Sequence, residues 1–105
     1  MNSNINDIEI KEIVDAILGV VPALEIYVFG SYANGKVNED SDYDFYVVVP
    51  DDFQPTQVAW KIQAAIKNRV RGIDMMVGRK SKFDKYKHVY SIENEVLESG
   101  VKLYG

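Results

Sequence analysis

The chain has 105 residues, with 12 Lys and Arg against 16 Asp and Glu, one His and no Cys. That size suits a single domain spanning 1–105 and excludes a disulfide scaffold, thiolate zinc sites and cysteine nucleophiles. A net charge of −4 argues against nucleic acid as a direct partner, because phosphate binding is driven by Lys and Arg.

The start of the chain is acidic where a signal peptide would be basic. From Asp7 to Val21 the residues Ile10, Ile13, Val14, Ile17, Leu18 and Val21 recur at helical spacing, and Pro22 stops that helix. The longest apolar stretch, Ala16 to Leu24, is too short for a membrane span and is broken by Gly19 and Pro22. A soluble protein of the reducing cytoplasm is the expectation. Glu25 to Phe29 is β-branched and aromatic and reads as a strand running into Gly30. Residues 30–41, rich in Gly, Asn and Ser, read as a loop with room for one helical turn.

Asp42 to Val49 carries the strongest strand signal, closed by Pro50. Thr56 is the expected N-cap of the next helix, whose stripe of Val58, Ala59, Ile62, Ala65, Ile66 and Val70 runs to Gly72. Ile73 to Val77 is a third strand, followed by helices near 82–87 and 89–99 and the tail VKLYG. A strand, helix and strand in succession predict a right-handed crossover with those two strands parallel, while the first two strands can pair antiparallel. The fold class that follows is α+β, a small mixed sheet layered with helices.

Charge is unevenly placed. Residues 1–60 hold 2 basic and 11 acidic groups, and residues 61–105 hold 10 and 5. The basic run Lys61, Lys67, Arg69, Arg71, Arg79, Lys80, Lys82, Lys85 and Lys87 reads first as a solvated helix face, and otherwise as a surface for an anionic partner or nucleotide phosphates. His88 sits in a Lys/Tyr stretch and reads as an ordinary surface residue. Tyr27 and Tyr46 are placed to pack in the sheet.

The chemistry lies at the start of the second strand. Asp42 and Asp44 alternate with Tyr43 and Phe45, so both carboxylates share one sheet face, in a residue type that strands disfavour. Asp74 opens the third strand; with that strand parallel to the second, all three acids gather at one end of the sheet. The antiparallel first strand delivers Gly30 and Ser31 to the same end. Three converging carboxylates suit hard divalent cations, and pairs of such ions serve phosphoryl transfer. A Gly-Ser turn opening a helical turn suits phosphate, through close backbone approach and free N–H groups. Each piece alone is weak, but Gly-Ser followed at this distance by Asp-X-Asp should arise by chance in roughly one 100-residue chain in a thousand at average residue usage.

Gly30-Ser31, ten residues, then Asp42-Tyr43-Asp44 resembles the signature of the DNA polymerase β-type nucleotidyltransferase superfamily. The string GSYANGKVNEDSDYDFYVVV and the ending ENEVLESGVKLYG are similar to its minimal (MNT) branch. The resemblance implies a polymerase β-like palm core. It implies that Gly30 and Ser31 hold the terminal phosphates of a nucleotide, with ATP as the expected substrate. It also implies that Asp42, Asp44 and Asp74 hold two Mg2+, with Asp74 helping to activate the attacking hydroxyl. Asn34 stands where many minimal members have Arg in G-S-x-A-R-G, with Lys36 nearby.

A domain of this size leaves little to recognise an acceptor, so a partner chain, or the other half of a homo-oligomer, is expected to present the hydroxyl. In the minimal branch that partner is a HEPN-domain toxin, adenylylated on a tyrosine, with the MNT protein as antitoxin. Two other readings stand beside this one: a binding module that neutralises its partner by occlusion, and a homo-oligomeric small-molecule nucleotidyltransferase.

Overall fold

Which strands pair, and in which direction, decides whether the acids meet. The computed structural model describes residues 6–30, 43–66 and 73–105. Within them the order is α1 (Asn6–Val20), β1 (Glu25–Phe29), β2 (Tyr43–Val49), α2 (Pro55–Ala65), β3 (Ile73–Arg79), α3 (Lys80–Tyr86), α4 (Ile92–Ser99) and β4 (Val101–Tyr104). The strands form one sheet in the order β3-β2-β1-β4, with β2 and β3 parallel and the other pairs antiparallel. This is the mixed-sheet α+β architecture expected from the sequence.

The sheet is covered on both faces. On one side α1 and α2 bury Ile10, Ile13, Ile17, Val58 and Ile62 against Ile26, Val28, Phe45, Val47 and Val49. On the other, Phe83 of α3 and Val96 of α4 pack against Tyr27, Phe29, Tyr46 and Val48. This second layer explains why β2 is apolar almost without alternation: a strand buried on both faces has no polar side to present. Burial of Tyr27 and Tyr46 agrees with their reading as packing residues.

Several boundaries differ from expectation: β3 runs on to Arg79, past the expected Val77, and α3 opens at Lys80. The N-cap of α2 is Gln54, whose side chain accepts from the Gln57 N–H, and Pro55 takes the first helical position. Proline's fixed φ and missing N–H suit that position, so the helix starts before Thr56. At its other end α2 stops at Ala65, since Ile66 has turned to extended backbone and packs against the core; the expected continuation through Val70 to Gly72 lies outside the described residues. Ser91 caps α4 by accepting from the Asn94 N–H, so that helix begins at Ile92. The tail, given no element in the sequence reading, is a fourth strand paired with β1. It is short and mostly exposed, with Leu103 packed against the core, and it pairs along the edge that β1 would otherwise leave free. Among the described residues no helix is long and apolar enough to cross a membrane.

Candidate active site

Asp44 sits on β2 with Phe29 of β1 opposite it on one side and Asp74 of β3 on the other. Gly30 follows Phe29 directly, so Gly30, Asp44 and Asp74 form a row across three neighbouring strands at one end of the sheet. Strands lie about 4.8 Å apart, which makes the row about 10 Å long. Asp44 is half-buried and Asp74 is exposed. Two like charges directly opposite in a ladder repel.

Gly30 takes φ +75°, a left-handed conformation that side chains disfavour. A Cβ there would collide with Asp44 Oδ2. Glycine is therefore required twice, for the backbone turn and to leave space beside the carboxylate. Of the five site residues expected from the sequence, the structure brings together Gly30, Asp44 and Asp74; Ser31 and Asp42 lie outside the described residues. Among the described residues no group of three or more His, Cys, Asp or Glu comes together.

The same sheet face carries a second arrangement that the sequence reading missed. Register places Tyr46 beside Met76 and Val48 beside Gly78. The Tyr46 hydroxyl donates to Glu93 Oε2 at 2.9 Å, and Lys82 Nζ lies 3.7 Å from the same carboxylate. Glu93 is 3% exposed. Gly78 has no side chain because a Cβ there would overlap the Tyr46 hydroxyl. Burial, then the hydrogen bond to Glu93 and its charge, push the Tyr46 hydroxyl's pKa well above the usual tyrosine value. One sign of Glu93 was available in the sequence: it stands three residues before Val96, on the inward stripe of α4.

Met76 is the other missed residue. It follows Asp74 by one full pleat on the same face and is 42% exposed, whereas its register partner Tyr46 is buried. The basic run is mostly consumed within the fold where it is described: Lys80 and Lys87 bind Asp84, Lys80 also approaches Glu25, and Arg79 donates to the Phe53 carbonyl. His88 is exposed in the turn after α3.

The fold has counterparts among solved structures. A toxin–antitoxin crystallised with AMP-PNP superposes with a TM-score of 0.62 at 22% identity, over 90% of this chain and 72% of that one. A candidate nucleotidyltransferase from Sulfolobus solfataricus gives 0.60 at 23% identity, over 97% of this chain and 89% of its own. A double Asp-to-Glu mutant of the MntA-HpeT toxin–antitoxin gives 0.60 at 20% identity, over 90% and 72%. No curated protein matches the chain in sequence. A family model for the nucleotidyltransferase domain matches residues 8–103, and the chain belongs to that family.

Proposed function

We propose that the protein is a Mg2+-dependent nucleotidyltransferase that moves AMP from ATP onto a hydroxyl of a partner protein, a HEPN-domain toxin, and so acts as its antitoxin. The overall reaction is ATP + R–OH → AMP–O–R + pyrophosphate. One observation carries the reading: in a chain of this family, Gly30, Asp44 and Asp74 line up across β1, β2 and β3 at one end of the sheet. The structures it resembles include a toxin–antitoxin bound to an ATP analogue, which supports ATP as nucleotide and a toxin as partner. The HEPN identity follows the sequence's resemblance to the minimal branch.

Asp44 and Asp74, with Asp42 from the segment just before β2, would hold two Mg2+. Carboxylate oxygens are the hard donors such ions take, and the missing Cβ at Gly30 leaves space beside Asp44 Oδ2. When bound, the ions neutralise the triphosphate and favour in-line displacement at the α-phosphorus. The protein's own groups orient the reactants. Backbone N–H groups at Gly30 and Ser31, with the Ser31 hydroxyl, hold the terminal phosphates. Asp74 is exposed on an edge strand, where an acceptor can reach it, and it takes the proton of the attacking hydroxyl.

Co-expression with the protein encoded beside it tests the reading by mass spectrometry. The partner should gain the mass of one AMP on a hydroxyl side chain, and only when Asp44 and Asp74 are intact. A partner that is neutralised yet never modified would establish neutralisation by occlusion instead.

A further inference from the structure

In-line phosphoryl transfer sets the attacking and leaving oxygens on opposite sides of the phosphorus. The row at the sheet end therefore has a direction. If Gly30, at the end of β1, is where the leaving phosphates are held, the acceptor must come from the β3 side. That side is an edge of the sheet. The side chain exposed there next to Asp74 is Met76, about 7 Å along the strand on the same face.

Its environment sets it apart from its neighbours. Met75 and Val77 pack into the core under α1 and α2. Gly78, one pleat beyond Met76, is buried beneath Tyr46. Met76 alone on this strand presents a long, polarizable, apolar side chain that neither helix layer covers. A sugar or glycerol hydroxyl arriving beside Asp74 would find a thioether where it needs hydrogen-bond partners. A hydroxyl borne on an aromatic or aliphatic body would find a packing surface, since methionine sulfur packs favourably against rings.

We infer that Met76 is a positioning residue for the acceptor: it packs against the apolar body that carries the attacking hydroxyl and sets that hydroxyl at Asp74. The inference rests on the nucleotidyltransferase reading. In the step it serves, the acceptor oxygen bonds to the α-phosphorus as the bond to the α–β bridging oxygen breaks. Pyrophosphate leaves with that electron pair, and the hydroxyl proton passes to the Asp74 carboxylate.

Transfer from MgATP to N-acetyltyrosinamide and to glycerol, followed chromatographically, tests this alongside calorimetry of MgATP binding. The parent should modify the phenol in preference to glycerol. Met76→Ala should lower kcat/KM for N-acetyltyrosinamide about tenfold, mainly through KM, the scale on which an apolar contact discriminates. Met76→Leu should restore it to within about twofold, and neither variant should move MgATP affinity. Equal use of glycerol by the parent, or full activity of Met76→Ala on the phenol, overturns the inference. So does a matching loss of MgATP affinity, which would place Met76 on the nucleotide. A parent that binds MgATP and forms AMP but leaves the phenol unmodified overturns it as well. A parent that neither binds MgATP nor forms AMP overturns the nucleotidyltransferase reading itself.

Discussion

One sheet face holds carboxylates in two opposite situations. Under α3 and α4, Glu93 is buried, accepts from Tyr46 and has Lys82 within 3.7 Å. At the far end Asp44 and Asp74 stand side by side in register, one half-buried and one exposed, on strands that no helix closes over at Met76. The first arrangement is what a fold does to keep a charge it has buried: it matches the group with a donor and a cation. The second pays repulsion for proximity, the signature of a site arranged for something other than stability. The two ends should therefore respond to substitution in opposite ways.

The largest effects should fall on activity at the Asp44–Asp74 end. Asp74→Asn should retain much of the MgATP binding and lose transfer by roughly 10²–10⁴-fold, the usual worth of a positioned base. Asp44→Asn should lose both together. Asp74→Asn should melt no lower than the parent in metal-free buffer, because it removes one of two facing charges. A sharp fall in melting temperature for Asp74→Asn would make that residue structural.

The covered end should show the reverse. Glu93→Ala strands a buried Tyr46 hydroxyl and should cost about 1–3 kcal/mol in urea unfolding, with MgATP affinity unchanged. Gly78→Ala should cost a similar amount by forcing the Tyr46 ring aside, about 1–3 kcal/mol for overpacking. Loss of nucleotide binding in either variant while the fold is intact would join the two ends into one site.

A smaller effect concerns alkaline pH. Burial and carboxylate neighbours raise the pKa of both Tyr46 and Tyr27. A group whose folded pKa is raised stabilises fully below its unfolded value, near 10 for tyrosine, and that contribution is lost as pH climbs toward the folded value. Stability should hold up to about pH 10 and then fall by at most about 1.4 kcal/mol per pH unit per tyrosine. Tyr46→Phe should make the decline shallower; an unchanged slope would assign it elsewhere. Smallest of all, Asp84→Asn should cost no more than about 0.5 kcal/mol, since its pairs with Lys80 and Lys87 are solvent-exposed.

Much of this was legible in the sequence, for stated reasons. The apolar period of α1 announced its buried face, and all of Ile10, Ile13, Ile17 and Val21 are buried. The β2-α2-β3 crossover required parallel strands, and that pairing set Asp44 opposite Asp74. Other features depend on what packs where. β4 exists because β1 offers an edge, and its four residues, VKLY, are too few to announce a strand by themselves. Met76 stands between Met75 and Val77, apolar like both; only the packing of the helices on the two sheet faces decides which of those side chains stays exposed. Glu93 looks like any helix glutamate until Tyr46 is found beneath it.

The account's central claim is that the Asp44–Asp74 end of the sheet binds a nucleotide through its carboxylates. Titration of the protein with ATP in Mg2+ and again in EDTA, repeated with Asp44→Asn and with Glu93→Gln, tests it most directly. Binding in Mg2+ that disappears in EDTA and in Asp44→Asn, and persists in Glu93→Gln, is the predicted result. ATP binding undiminished by EDTA and by Asp44→Asn would contradict it.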